Sequence, residues 1–335
     1  MSALTIQFAS GGVFLPRLGL WLDPGARQTG PEKVFISHAH ADHIGAHREV
    51  ILSAATARLM RARLGGQRVE HIPPFGEPRW FGGGEIPYRL TLLPAGHILG
   101  SAMAFIEAET ETLLYTGDFS LRPSHCAGSC APRRADVLIM ETTFGQPQYR
   151  FPPAEEVLRE IIDFCRTALA QEETPVLMSY SLGKSQELLC GLADARLPVV
   201  VHETVHKINK IYEQFGHCFP SYERYERCGT QGKVMICPPH GHDSAALRGR
   251  ARARTAILTG WAVEAGCRFR FQTDAAFPLS DHADFPGLIE MVERVAPKRV
   301  FTLHGFAAEF AQALRDSGCD ARALGLAEQL PLALA

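Results

Sequence analysis

The chain has 335 residues, is 46% hydrophobic and 21% charged, and carries a formal net charge of −2. That length and apolar content allow one large domain or two interleaved ones with a sizeable core. The near-neutral balance excludes a chain-wide polyanion-binding surface, so any nucleic-acid footprint must be a local patch. No run of 18 apolar residues occurs, which argues against a membrane span. The opening MSALTIQFASGGVF lacks the basic and apolar regions of a secretory signal, so a cytoplasmic location is expected. Nine irregularly spaced cysteines then read as free, buried thiols.

Short apolar or alternating runs at 4–8, 18–22, 33–37, 50–53, 88–93, 102–108, 112–116 and 136–140 predict strands. One helix is expected near 55–64, stopped by Gly65 and Gly66. The glycine run 82–84 reads as a turn, since no GK[ST] of a phosphate-binding loop follows. Many short strands with few helices suggest a sandwich. The rhythm changes after Pro152-Pro153. Helices at 154–169, near 184–195 and near 204–215 alternate with the apolar runs PVLMSY, PVVVH, KVMIC and TAILTGW, which implies a parallel, doubly wound unit. From about 276 come a strand-end loop, a helix (286–295), the strand RVFTL and a helix (306–317). The chain is therefore divided into 1–146 and 273–335, two parts of one sandwich domain, with an inserted α/β cassette at 147–272.

The densest chemistry lies in VFISHAHADHIG, residues 34–45. A buried-type strand runs into a loop with His38, His40, Asp42 and His43. In an extended segment His38 and His40 point to one side, and Asp42 and His43 turn toward a neighbouring point. Four ligand-type side chains in six residues can serve two adjacent metals, and such a cluster after a buried strand would be costly as a plain surface loop. LLPAGHILGSA places His97, TLLYTGDF places Asp118 and RVFTLHG places His304, each just past an apolar strand. Imidazole and carboxylate without thiolate suit Zn²⁺, with Mn²⁺ as an alternative. Cys126 and Cys130 beside His125 have a metal-like spacing but lack a second ligand pair.

These motifs resemble the metallo-β-lactamase superfamily, whose signature is HxHxDH followed by separate His, Asp and His ligands. The resemblance implies an αββα sandwich and two metals. His38, His40 and His97 would hold one, Asp42, His43 and His304 the other, and Asp118 would bridge them. Paired metals activate water and stabilise in-line displacement at phosphorus, with Asp42 counted among the catalytic groups.

VLIMETTFG puts Glu141 at a strand end, and FPLSDHADFPGL puts Asp281 and His282 before a helix, with the cassette between the two motifs. This resembles the β-CASP nucleases. On that resemblance His282 protonates the leaving oxygen while Glu141 orients it. The bland alternative makes His282 a helix-start residue with Ser280 or Asp281 as the cap. Across nearly the whole chain the runs GDFSLRPSHCA, ETTFGQPQYRFPP, SYSLGKSQELL and SDHADFPGL look like the bacterial ligase-associated DNA exonucleases. That resemblance implies a DNA substrate, a role in repair, and a DNA ligase and a helicase as partners. Two segments are candidates for holding nucleic acid. Ser179, Ser181, Gly183, Lys184 and Ser185 sit at a strand-to-helix turn suited to a phosphate, from which 5′→3′ cleavage is expected. Arg248, Arg250 and Arg252 belong to RGRARAR, a track for a backbone or a solvated charge run. His240 and His242 in PPHGHDS depart from the family pattern and read as a variable loop. The competing readings are an RNA-processing β-CASP ribonuclease, a small-molecule thioester or lactone hydrolase, and a pseudoenzyme.

Overall fold

The computed structural model describes residues 4–225, 229–239 and 252–325. Three sheets organise them. The first has six strands, in the order Gln7–Ala9, Gly12–Leu15, Leu20–Leu22, Lys33–Phe35, Glu49–Ile51 and Val69–His71. The second has seven, in the order Ala321–Ala323, Arg299–Leu303, Val137–Glu141, Glu111–Tyr115, Ala102–Ala108, Tyr88–Pro94 and Arg79–Phe81. Alternation along each strand decides which faces meet. Leu113, Tyr115, Val137 and Ile139 share a core with Leu15, Leu22, Phe35 and Ile51 of the first sheet. Their neighbours Leu114, Leu138 and Met140 turn outward and are covered by Leu288, Met291 and Phe310, from the helices Phe285–Val295 and Ala307–Asp316. The outer face of the first sheet, with Val34, Ile36 and Val50, is covered by Ala57 and Met60 of the helix Ala54–Leu64. The result is the αββα sandwich, built on period-2 alternation.

The third sheet is all parallel, in the order Glu223–Arg224, Val199–Val201, Val234–Cys237, Thr174–Met178, Ala253–Leu258 and Ala275–Phe277. Its central strands are apolar on both faces because both are covered. The helices Ala154–Ala170, Lys184–Gly191 and Glu203–Gln214 contribute to this packing. Ala275–Phe277 joins this sheet by pairing with Ala253–Leu258.

The strands that composition did not announce are short. Gly12–Leu15, Val69–His71, Arg79–Phe81 and Ala321–Ala323 have three or four residues each. Val69 and Trp80 lie on sheet edges and stay exposed, so they give no buried-strand signal. The site is set by parallel pairing. Arg299–Leu303, Val137–Glu141 and Glu111–Tyr115 are parallel neighbours, with Glu141 opposite Leu303. Their C-terminal ends therefore deliver His304, Glu141 and Asp118 to one rim. No helix among the described residues is long and apolar enough to cross a membrane.

Candidate metal centre

Past Phe35 the strand ends, and the chain turns through His38, His40, Asp42 and His43. His40 Nδ1 lies 3.1 Å from His38 Nε2 and 3.1 Å from His97 Nε2. One oxygen of Asp118, Oδ2, is 3.4 Å from His38 Nε2, 3.4 Å from His43 Nε2 and 3.8 Å from His97 Nε2. One ligand atom from each of His38, His40, His97 and Asp118 fits within a 4.8 Å sphere of mutual distances.

The far side of each ring explains the convergence. His40 Nε2 donates to the Leu182 carbonyl at 3.1 Å, and His97 Nδ1 donates to the Asp281 carbonyl at 2.8 Å. His43 Nδ1 donates to Asp23 Oδ2 at 2.9 Å. The Ser37 hydroxyl donates to Asp23, so its oxygen is left to accept from His38 Nδ1 at 2.9 Å. Each outer nitrogen thus carries a proton, and the inner nitrogens of His38, His40 and His97 present lone pairs. Lone pairs facing one another at 3.1 Å repel unless a cation lies between them. Tetrahedral zinc with Zn–N of about 2.0–2.1 Å separates its ligand atoms by roughly 3.3 Å, so the residues fit the metal. Burial pushes the imidazoles of His38, His40 and His97 down, His97 to about 4, which keeps them neutral as ligands must be. His43 goes the other way. Burial lowers it, but Asp118 and Asp23 outweigh that and hold it well above its ordinary value. Asp118 is buried, which raises it, yet His43 and His38 keep its carboxyl well below the usual range.

Asp42, His43 and His304 are gathered less tightly. His43 links them. Its Nε2 is 3.8 Å from Asp42 Oδ2, and its ring centroid is 5.9 Å from that of His304. The Asp42 carboxylate is 81% exposed, and His304 is exposed with φ of +62°. Among the described residues none of these three belongs to a metal-capable group of the tightness found around His40.

His282 Nδ1 is 2.9 Å from Glu141 Oε1. The Phe119 amide donates to the same oxygen, and the Thr143 amide and hydroxyl donate to Oε2, so the carboxylate is fixed. Burial pushes the His282 imidazole down, but Glu141 and Asp118 outweigh it and leave it at about 9. Its ring lies 4.6 Å from that of His97. The helix Phe285–Val295 is capped by Asp284, which accepts from the Gly287 amide at 3.0 Å. Ser280 and Asp281 are therefore not its cap.

The strand-to-helix turn expected to hold a phosphate directs its polar groups inward. Ser179 and Ser185 are buried with their hydroxyls 2.8 Å apart. The Ser181 carbonyl accepts from Gln186, and Gly183 is the residue before the helix Lys184–Gly191. Lys184 is 4% exposed, with Nζ 3.1 Å from Asp281 Oδ1. The turn spends its polar groups on internal packing, and its one ammonium is engaged rather than turned toward an anion. Beside it a cavity of about 490 Å³ runs along His97, Arg122, Ser124, Glu187 and Asp281, between sandwich and cassette. Arg252 is exposed just before Ala253–Leu258. Arg248, Arg250, His240 and His242 lie outside the described residues. The Cys126 thiol sits 3.6 Å from Cys190, not against Cys130, and neither joins a metal-capable group among the described residues.

Sequence reasoning missed Asp23. It accepts from Ser37, His43 and Tyr115 and so anchors two of the four histidines. Its only signal was an Asp at the end of the apolar run LGLWLD.

With this geometry in place, two domain descriptions match the chain. "Metallo-beta-lactamase superfamily" matches residues 22–164, and "Zn-dependent metallo-hydrolase RNA specificity domain" matches 275–324. The chain belongs to the metallo-β-lactamase superfamily, in its β-CASP branch. It is 50% identical over 326 residues to a probable DNA ligase of Opitutus terrae, covering 97% of this chain and 32% of that protein. It is 28% identical over 275 residues to a ribonuclease of Thermus thermophilus, covering 71% and 62% of the two chains. It is 33% identical over 173 residues to the 5′ exonuclease Apollo of Gallus gallus, covering 50% and 37%. The chain thus spans about a third of the first relative and under two thirds of the second. A crystal structure of a protein of unknown function from Enterococcus faecalis shares the fold, with a TM-score of 0.56 at 13% identity over 83% of this chain and 76% of that one.

Proposed function

We propose that this chain is a metal-dependent DNA exonuclease that hydrolyses phosphodiester bonds at strand ends during repair. The observation that carries the reading is the buried His38–His40–His97–Asp118 cluster with the His282–Glu141 pair against it, at the seam between sandwich and cassette. His38, His40 and His97 would hold one zinc ion, Asp42, His43 and His304 the second, and Asp118 would lie between. When bound, the pair supplies an activated water and charge stabilisation at phosphorus. The protein's own groups do the rest. Glu141 engages His282 Nδ1, which leaves the proton on Nε2 as the one available to the departing oxygen. The Asp42 carboxylate is 81% exposed and so open to solvent.

DNA is favoured over RNA by the likeness to part of a protein named a probable DNA ligase. The 5′→3′ direction takes its support from the likeness to a protein named a 5′ exonuclease, and none from Lys184, whose ammonium is engaged by Asp281. Likeness to a third of a protein named a ligase also supports a ligase as physical partner. The ribonuclease reading is favoured by the RNA specificity description over 275–324 and by the Thermus relative. Digestion of matched single strands of DNA and RNA, labelled at either end, separates them. The proposal expects mononucleotides from DNA, released first from the 5′ end. Preferential cleavage of RNA overturns the DNA assignment, and first release from the 3′ end overturns the direction alone.

A further inference from the structure

Three consecutive cassette residues touch three separate loops of the metal centre. The Leu182 carbonyl accepts from His40 Nε2 at 3.1 Å. Gly183, at φ of +91°, presses so closely on the loop after His97 that an added Cβ would lie 2.3 Å from Ile98 Cγ2. Lys184 Nζ reaches Asp281 Oδ1 at 3.1 Å, and Asp281 is the residue whose carbonyl takes the proton of His97 Nδ1. Both carboxylate oxygens of Asp281 are buried without a hydrogen-bond partner, so the ion pair with Lys184 is their main compensation. Among the described residues the lysine pairs with no second carboxylate, and its other close neighbour is the face of Tyr180 at 4.9 Å. The turn itself is stiff. Gln186 reaches back to accept from the Gly183 amide at 2.7 Å and donates to the Ser181 carbonyl and to Asn209.

We propose that Lys184 is a positioning residue for the metal centre, and that docking of the cassette through Leu182, Gly183 and Lys184 sets the affinity of the His38–His40–His97 site. The physical reason is orientation. Two of the three imidazoles have their outer nitrogens tied to oxygens that this turn supplies or holds in place. A ring freed from such a partner loses its fixed tautomer and rotamer. Linkage makes the effect reciprocal, so metal binding favours the docked cassette as much as docking favours metal. This rests on the His/Asp cluster being the metal centre, and it does not depend on the substrate being DNA.

The test is zinc affinity measured by competition with a chromophoric chelator, on the full chain. Lys184→Met should weaken zinc binding by roughly 10–100-fold, the usual effect of losing an outer partner. Lys184→Arg keeps the charge and should restore affinity to within a few-fold of the parent. In a double-mutant cycle, Lys184→Met with Asp281→Asn should weaken binding no further than the worse single variant, because the two act as one unit. A second measurement does not need Lys184→Met to fold. Amide exchange over 180–186 of the parent protein should slow when zinc is added to metal-stripped protein. Parent-like affinity in Lys184→Met, or exchange over 180–186 that ignores zinc, overturns the proposal. Zinc that fails to bind the parent protein at all overturns the metal-centre reading instead, and is distinguishable from either.

Discussion

A histidine that binds a cation must be neutral at one nitrogen and anchored at the other, and His38, His40, His43 and His97 are each anchored to an oxygen. Asp118 Oδ2 is the atom that faces three of them. Asp118→Ala should therefore lose activity more completely than any single histidine variant, together with metal, as elemental analysis and turnover will show. The proposed ligand set leaves out His282, which Glu141 holds through Nδ1, although its ring also falls in metal-capable groups with His97 and Asp281 and with Asp118 and Glu141. His282→Ala should keep its metal and fold, and slow by roughly 10²–10⁴-fold, the range for a general acid. Its titration can be read in metal-stripped protein by NMR. The midpoint should lie near 9, because Glu141 and Asp118 outweigh burial. Glu141→Gln removes the largest of the raising influences, so the midpoint should fall. The sign follows from the proton: a raised imidazole is charged below its midpoint and loses its attraction to Glu141 as the pH climbs through it. A midpoint unmoved by Glu141→Gln would show that the pair is not electrostatically coupled.

At the scale of elements, the site is a property of strand ends. Glu111–Tyr115 delivers Asp118 through Gly117, which has φ of +53° and would place a Cβ 2.4 Å from Ser37 Cβ. Only glycine lets this turn approach the His38 loop so closely. Gly117→Ala should lower stability by about 1–3 kcal/mol through strain and overpacking. It should also reduce metal content, since Asp118 and the Ser37–His38 segment would be pushed apart. Urea melts and zinc analysis check both parts. Leu288→Ala, in the helix covering the far face of the same sheet, should cost about 2–5 kcal/mol through its cavity while zinc content stays normal. That contrast separates damage to the site from damage to the core.

For the whole molecule, metal and fold are linked. Three buried imidazoles, kept neutral by burial and facing one another, are a source of repulsion that a cation relieves. Zinc added to chelator-stripped protein should raise the melting temperature in a concentration-dependent way, by about 3 kcal/mol of stabilisation at a hundredfold excess over Kd. Asp118→Ala should show no such rise. Because the Leu182 carbonyl of the cassette orients His40 of the sandwich, both units should gain from metal and melt in one transition.

Spacing alone marked His38, His40, Asp42 and His43 as candidates, since four cation-binding side chains in six residues after an apolar strand would be costly to gather without a metal, and the structure brings His38 and His40 of these into one group with His97 and Asp118. Asp118, Glu141 and His304 were candidates for a related reason: each follows an apolar strand, and those three parallel neighbours align their C-terminal ends on one rim. Period-2 alternation likewise marked the central strands, while short exposed edge strands such as Arg79–Phe81 bury too little to leave a pattern. Asp23 was hidden because a lone carboxylate at a strand end looks like any turn residue until Ser37, His43 and Tyr115 close on it. Lys184 shows the converse. A lysine at a helix start looks free in a sequence, and only the packing of the cassette against the Asp281 loop reveals that its charge is already paired. Local composition thus determined which groups can bind a cation, and contacts between residues far apart in the chain decided which of them are bound to one another instead.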